Sequence, residues 1–118
     1  KLKNINWIVI TKDIDQEERD ILNKYNIKYY GDILDNGDNC FEDSINIIKN
    51  CDGLISTDTS FLHLASNLDI KTIALLTLGC EWRWTCDLTT NWYPNMILLR
   101  QNIFNNWENV IDSLIRYI

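Results

Sequence analysis

The stretch DGLISTDTSFLHLAS, residues 52–66, decides how the rest of the chain is read. It opens on an apolar pair, Leu54 and Ile55. Four small polar residues follow, Ser56, Thr57, Asp58 and Thr59. Phe61, Leu62, Leu64, Ala65 and Leu68 then recur at spacings of three and four, the period of a helix with one apolar face. The spacing predicts a strand, a tight turn and a helix start. Asp58, Thr59 and Ser60 are residue types that cap helix N-termini. In an open parallel sheet, such a turn lies at the carboxyl end of a strand, where ligands bind. The first N–H groups of a helix lack intrahelical partners and carry the positive end of its dipole, which suits phosphate. Two readings of the turn stand side by side. In one, Asp58 and His63 flank a seat for a phosphorylated sugar. In the other, the helix is simply capped and His63 is a structural side chain.

Outward from this stretch the chain alternates. Trp7, Ile8, Val9 and Ile10 form a continuous apolar run, as in a strand buried on both faces. Residues 15–26 read as a helix with an acidic start (Asp15, Glu17, Glu18), a stripe of Ile14, Ile21, Leu22 and Tyr25, and a stop at Asn26. A short strand follows at 27–30, then a loop at 31–39 rich in Gly, Asp and Asn. Lys12, at the first strand's end, is read as solvated or as a phosphate contact. A helix at 41–50 carries Phe41, Ile45 and Ile48 on one side. Strands are expected at 51–57, 71–77 and 96–100. The closing helix is expected at 106–118, with Trp107, Val110, Ile111, Leu114 and Ile115 as its stripe. Helices alternating with wholly apolar strands argue for an α/β fold. The expectation is one domain over residues 1–118, a three-layer sandwich with a parallel sheet of about five strands.

Between strands four and five lies an aperiodic connection, residues 78–95. It holds Gly79, Glu81, Trp82, Arg83, Trp84, Trp92, Tyr93 and the single proline, Pro94. Long loops without structure of their own are uncommon unless functional. The aromatics are read either as stacking on a base or sugar, or as pinning the loop to the body.

Composition narrows the function. Acidic residues outnumber basic ones 17 to 11, a net charge of −6, so no basic face for nucleic acid is expected. No apolar run reaches the roughly 18–20 residues that span a membrane. No signal peptide is visible in the first residues. The chain begins Lys1-Leu2-Lys3, as a processed or partial chain would. Cys40, Cys51, Cys80 and Cys86 form no Cys-x-x-Cys pair, and His63 is the only histidine, so neither a metal nor a cofactor is expected. Cys51 and Cys80 read as small core residues beside strands. Free thiols suit the cytoplasm.

From Phe41 to Leu114 the pattern resembles the C-terminal half of bacterial family 9 glycosyltransferases, the heptosyltransferase-like group. It is most similar to the version that follows tetratricopeptide repeats. The residues that carry the resemblance are Phe41-Glu42-Asp43-Ser44, the run from Cys51 to Ser60, His63-Leu64-Ala65, Trp82-Arg83-Trp84, Trp92-Tyr93-Pro94, Leu99-Arg100-Gln101, and Trp107 ahead of the last helix. The resemblance implies the Rossmann-like donor half of a GT-B fold, which binds a nucleoside-diphosphate sugar without metal. By that motif Asp58 would accept hydrogen bonds from sugar hydroxyls. The N–H groups of Thr59 and Ser60, with His63, would meet the diphosphate. Trp82 and Arg83 join the same substrate-binding set. Ser60 stands where the family most often has a smaller residue. The acceptor half with its catalytic base has no counterpart here, nor has the first strand of the donor half. The implied protein is therefore not catalytic alone. Its remaining strands would pair in the order 2-1-3-4-5, or an uncovered edge would take a second copy as a homodimer.

A non-catalytic nucleotide or partner binding module derived from the same fold is the second reading. A flavin or receiver domain is disfavoured, because the first loop, residues 11–15, has neither a Ser/Thr/Gly-rich phosphate cradle nor an acidic pair directly after the strand. A hydrolase lacks a nucleophile placed beside His63.

Overall fold

Two helix ends show how local chemistry sets the elements. Asn26 adopts φ 52° and Asp69 φ 59°, the left-handed conformation that closes helices and that Asn and Asp tolerate. Beyond each, an N–H reaches back to close the last turn, Ile27 to Leu22 O at 2.8 Å and Ile70 to Ala65 O at 3.0 Å. These ends bound α1 (Gln16–Lys24) and α3 (Ser60–Asn67). At its start α1 carries a capping box. Glu18 N–H donates to Asp15 Oδ1 at 2.8 Å, and Asp15 N–H donates to Glu18 Oε2 at 2.9 Å.

The computed structural model describes residues 5–38, 40–79 and 81–118. The expected core role of Cys80 lies outside them, as does Asn39 at the end of the predicted 31–39 loop. The remaining elements are β1 (Ile8–Val9), β2 (Lys28–Tyr29), α2 (Glu42–Ile48), β3 (Leu54–Thr57), β4 (Thr72–Leu76), β5 (Met96–Arg100) and α4 (Glu108–Leu114). No helix among the described residues is long and apolar enough to cross a membrane. The chain divides into two compact units, Lys1–Asn46 and Ile47–Ile118.

The first unit holds a two-stranded parallel ladder, β1 on β2, with Ile8 opposite Lys28. The second holds a three-stranded parallel sheet in the order β3-β4-β5. The fold is thus α/β with parallel strands, but the expected single sheet of five is not formed. No ladder joins β1 to β3 among the described residues, so the 2-1-3-4-5 order is corrected to two sheets. The reason is visible in burial. Ile8 is 37% exposed, whereas β4 is buried at Thr72, Ile73, Ala74 and Leu76. The run at residues 7–10 is apolar enough for a central strand but pairs over only two residues. The same shortness corrects the stripe expected on α1. A ladder this small offers a helix little surface, and Ile21 and Tyr25 are exposed.

The second unit has three layers. On one face of the sheet Ala74, Leu76, Met96 and Leu98 pack with Leu62 of α3 and with Trp84. On the other, Ile73 and Leu99 pack with Val110 of α4, with Ile55, Leu75, Ile97, Leu114 and Tyr117 around them. Neighbouring residues of one strand thus serve opposite faces, which is why β4 and β5 read as continuous apolar runs. The buried stripe of α4 is Val110 and Leu114, continued by Tyr117. Ile111 and Ile115, expected in it, are exposed. Cys51 is half-buried rather than core. Its thiol donates to Ile47 O at 3.3 Å, and burial, with Asp52 nearby, pushes its pKa up.

Within the first unit Asp35 organises the start of α2. Its carboxylate accepts from Ser44 Oγ at 2.5 Å, from Asp43 N–H at 3.0 Å and from Ser44 N–H at 3.3 Å. Burial raises this carboxyl, but the Ser44 and Asp43 hydrogen bonds, with Lys12 nearby, outweigh it and leave the pKa lowered. A lowered carboxylate stabilises the fold above the ordinary carboxylate range and stops doing so as pH falls through its folded value. Asp35→Asn keeps a side chain that tolerates the local φ of 52° but halves the acceptors. The expected cost is about 1 kcal/mol at neutral pH, shrinking towards zero in acid. Urea unfolding of both proteins at neutral pH and at about pH 3 checks it. An equal difference at both values would contradict it.

Candidate active-site cleft

The connections leave the sheet in different ways. From β3 the chain turns through Asp58 and Thr59 into α3. From β4 it enters loop 77–95, which reaches β5 with no helix among its described residues. Parallel strands need a crossover between them, usually helical. Here Trp84, 2% exposed, and Tyr93 cover β4 and β5 in the helix's place.

At the carboxyl ends of β3 and β4 a cleft of about 260 Å³ opens. Leu75 and Leu76 form its apolar floor. Thr57, Asp58, Thr77, Gly79 and Glu81 supply polar walls, and Trp107, 36% exposed and directly ahead of α4, closes one side. The volume lies just below the range of drug-sized pockets, about 300–1,000 Å³. It therefore accommodates one ring and its substituents rather than a whole nucleotide sugar. Glu81 is ion-paired with Arg83. Asp58 is exposed and takes part in no ion pair among the described residues. The cleft thus offers a free carboxylate, hydroxyls and an indole: acceptors and an apolar face for a polyhydroxylated ring.

The residues singled out from sequence separate into three places. Asp58 lines the cleft. Thr59 and Ser60, both exposed, stand at the start of α3 beside it. The Thr59 side chain does not cap the helix; its Oγ1 meets Ser56 Oγ at 2.9 Å. His63 does not line the cleft. Its Nδ1 is 2.7 Å from Tyr93 Oη, and its ring stacks on Trp84 at 5.5 Å and 25°. That places His63 among the contacts that tie loop 77–95 to α3. Trp82 and Arg83 lie together on the loop surface, Arg83 Cζ 5.8 Å from the Trp82 ring centre. Lys12, in the first unit, donates to Asp35 O and Asn36 Oδ1, both at 3.3 Å.

Sequence reasoning missed Trp107, Glu81 and Thr77 as cleft residues. The spacing puts Trp107 in the apolar stripe of the last helix, but α4 begins at Glu108, so the indole precedes the helix and lies at the sheet's carboxyl edge. No group of three or more His, Cys, Asp or Glu side chains is set to hold a metal ion among the described residues. No protein-family model, curated protein or solved structure matches this chain.

Proposed function

We propose that this chain is the donor-binding part of a Rossmann-like glycosyltransferase, holding a nucleoside-diphosphate sugar and not catalytic by itself. The observation that carries this reading is the cleft at the carboxyl ends of β3 and β4, with Asp58, in no ion pair among the described residues, on its wall and Trp107 beside it. The sugar occupies the cleft, its hydroxyls donating to Asp58. The diphosphate lies against the Thr59 and Ser60 N–H groups at the start of α3, where the helix dipole favours negative charge. The cytoplasm suits this role, since Cys40, Cys51 and Cys86 are free thiols.

Amide NMR titration of the chain with ADP, GDP, UDP and their sugar conjugates tests the reading. Shifts are expected at Asp58, Thr59, Ser60, Glu81 and Trp107, larger with the sugar attached. Asp58→Ala is expected to weaken sugar-conjugate binding about tenfold, as loss of a hydrogen bond to a charged group does. Asp58 is exposed, so the fold should be unaffected. Binding that ignores the sugar would make the chain a nucleotide module instead. Unchanged affinity in the variant, or no shifts at millimolar ligand, would remove the site assignment.

A further inference from the structure

Trp82 is 73% exposed and Trp92 55%. Their rings meet edge to face, 5.7 Å between centroids and 72° between planes. The sheet does not use them; Trp84 alone of the loop's three indoles is buried. Yet they are held in place. Thr90, 5% exposed, donates its hydroxyl to Arg83 O at 3.2 Å and accepts from the Trp92 N–H at 3.2 Å. One buried hydroxyl therefore ties the arm that carries Trp82 and Arg83 to the arm that carries Trp92. Arg100 Nη2 fastens the first arm again, donating to Trp84 O at 3.3 Å and to Thr85 O at 2.5 Å. An aromatic corner fixed before any ligand arrives loses little entropy on binding.

The surroundings select the occupant. Arg83 stands over Trp82, and its charge is met by Glu81. The rim is thus rich in hydrogen-bonding groups but close to neutral. The chain's net charge of −6 works against nucleic acid and anionic lipid. Two indoles supply at most about 500 Å², short of the roughly 800 Å² per partner that a stable protein interface buries. A sugar ring fits on each count. Its C–H bonds carry slight positive charge and pack on the electron-rich indole face. Its peripheral hydroxyls can donate to Glu81 and accept from Arg83.

We infer that the Trp82–Trp92 corner binds a neutral sugar unit of an oligosaccharide. Glu81 belongs both to the cleft wall and to the Arg83 pair, so the bound glycan stands next to the cleft. This binding goes beyond the donor reading and needs no nucleotide.

The test is titration of the whole chain with maltohexaose, cellohexaose and chitohexaose, read by indole N–H NMR signals and tryptophan fluorescence. At least one sugar should shift the Trp82 and Trp92 signals saturably in the millimolar range and leave Trp84 in place. Replacing both Trp82 and Trp92 by alanine should weaken that binding at least about tenfold. The wild-type indole signals report even if the double variant is unstable. No shift with any of the three sugars would overturn the proposal. So would sugar shifts that persist in the folded double variant. Shifts that appear with phosphatidylcholine vesicles or with rising protein concentration, and not with sugar, would assign the corner to a membrane or a second copy and overturn it too. Nucleotide titration reads at Asp58 to Ser60, so either reading can fail alone.

Discussion

Trp84→Ala is expected to destabilise the protein by about 3–5 kcal/mol, the range for removing a buried Trp or Phe from a core. Trp84 packs with Leu62, Leu76, Met96 and Leu98 on the face of the sheet where loop 77–95 stands in for a crossover helix. The loss spreads, because His63 stacks on this indole at 5.5 Å and Tyr93 tilts against it at 6.5 Å. With whole-domain stabilities of about 5–15 kcal/mol, such a variant would be marginal at physiological temperature. Trp82→Ala, two residues away, is expected to cost under about 1 kcal/mol, since only exposed contacts are lost, the edge-to-face one with Trp92 and the Arg83 guanidinium over the ring. Urea unfolding of the two variants side by side decides the matter. Similar losses in both would mean that Trp84 does not bear the role its burial implies.

The contrast between these two tryptophans shows where sequence reading ends. In an aperiodic loop, Trp82 and Trp84 are the same residue type with no pattern to rank them. Only the sheet beneath separates them. The strands were legible because their physics is local. A run such as Ile73 to Leu76 is apolar at every position because each face of the sheet is covered, and β5, Met96–Arg100, has the bounds expected of it. The helix end at Asn26 was legible for the same reason, since short polar side chains tolerate positive φ. The pairing of strands was not. Trp7 to Ile10 has the composition of a central strand, but how many residues pair depends on partners distant in sequence. In the candidate site, Asp58 followed from its place after β3. The fate of His63 depended on Tyr93, thirty residues away, which takes its Nδ1 at 2.7 Å. Trp107 was hidden by an expected helix start at Asn106, two residues too early, though it directly precedes the acidic Glu108 that opens α4.

Gly31→Ala is expected to cost about 3 kcal/mol or more, at or beyond the upper end for overpacking. Gly31 is buried in the first unit. A Cβ built on it falls on the carbonyl oxygen of Thr11, well inside contact distance, and also lies 2.6 Å from Tyr29 Oη and 2.7 Å from Tyr29 Cε2. The first obstacle is backbone and moves only if the segment after β1 moves. The second is a side chain, but not a loose one. Tyr29 Oη donates to Asp32 Oδ1 at 3.1 Å, Asp32 takes both Arg19 nitrogens at 2.8 Å, and the Arg19 guanidinium lies 5.1 Å from the Tyr29 ring centre. Swinging the ring aside would undo its hydrogen bond to Asp32 and its contact with Arg19. Gly37→Ala is the matched control, because nothing lies within 4 Å of its Cβ, and it should change stability by less than about 1 kcal/mol. Amide exchange supplies the local readout. The Tyr30 N–H, bonded to Val9 O at 3.0 Å, should lose protection in Gly31→Ala and keep it in Gly37→Ala. A Tyr29→Ala change in the Gly31→Ala background then separates the two obstacles, as a double-mutant cycle does for groups in contact. Recovery of most of the loss would assign the strain to the ring, and persistence would assign it to the Thr11 carbonyl. Wild-type protection and stability in Gly31→Ala would instead mean that the turn after β2 is not packed against the Thr11 carbonyl as described.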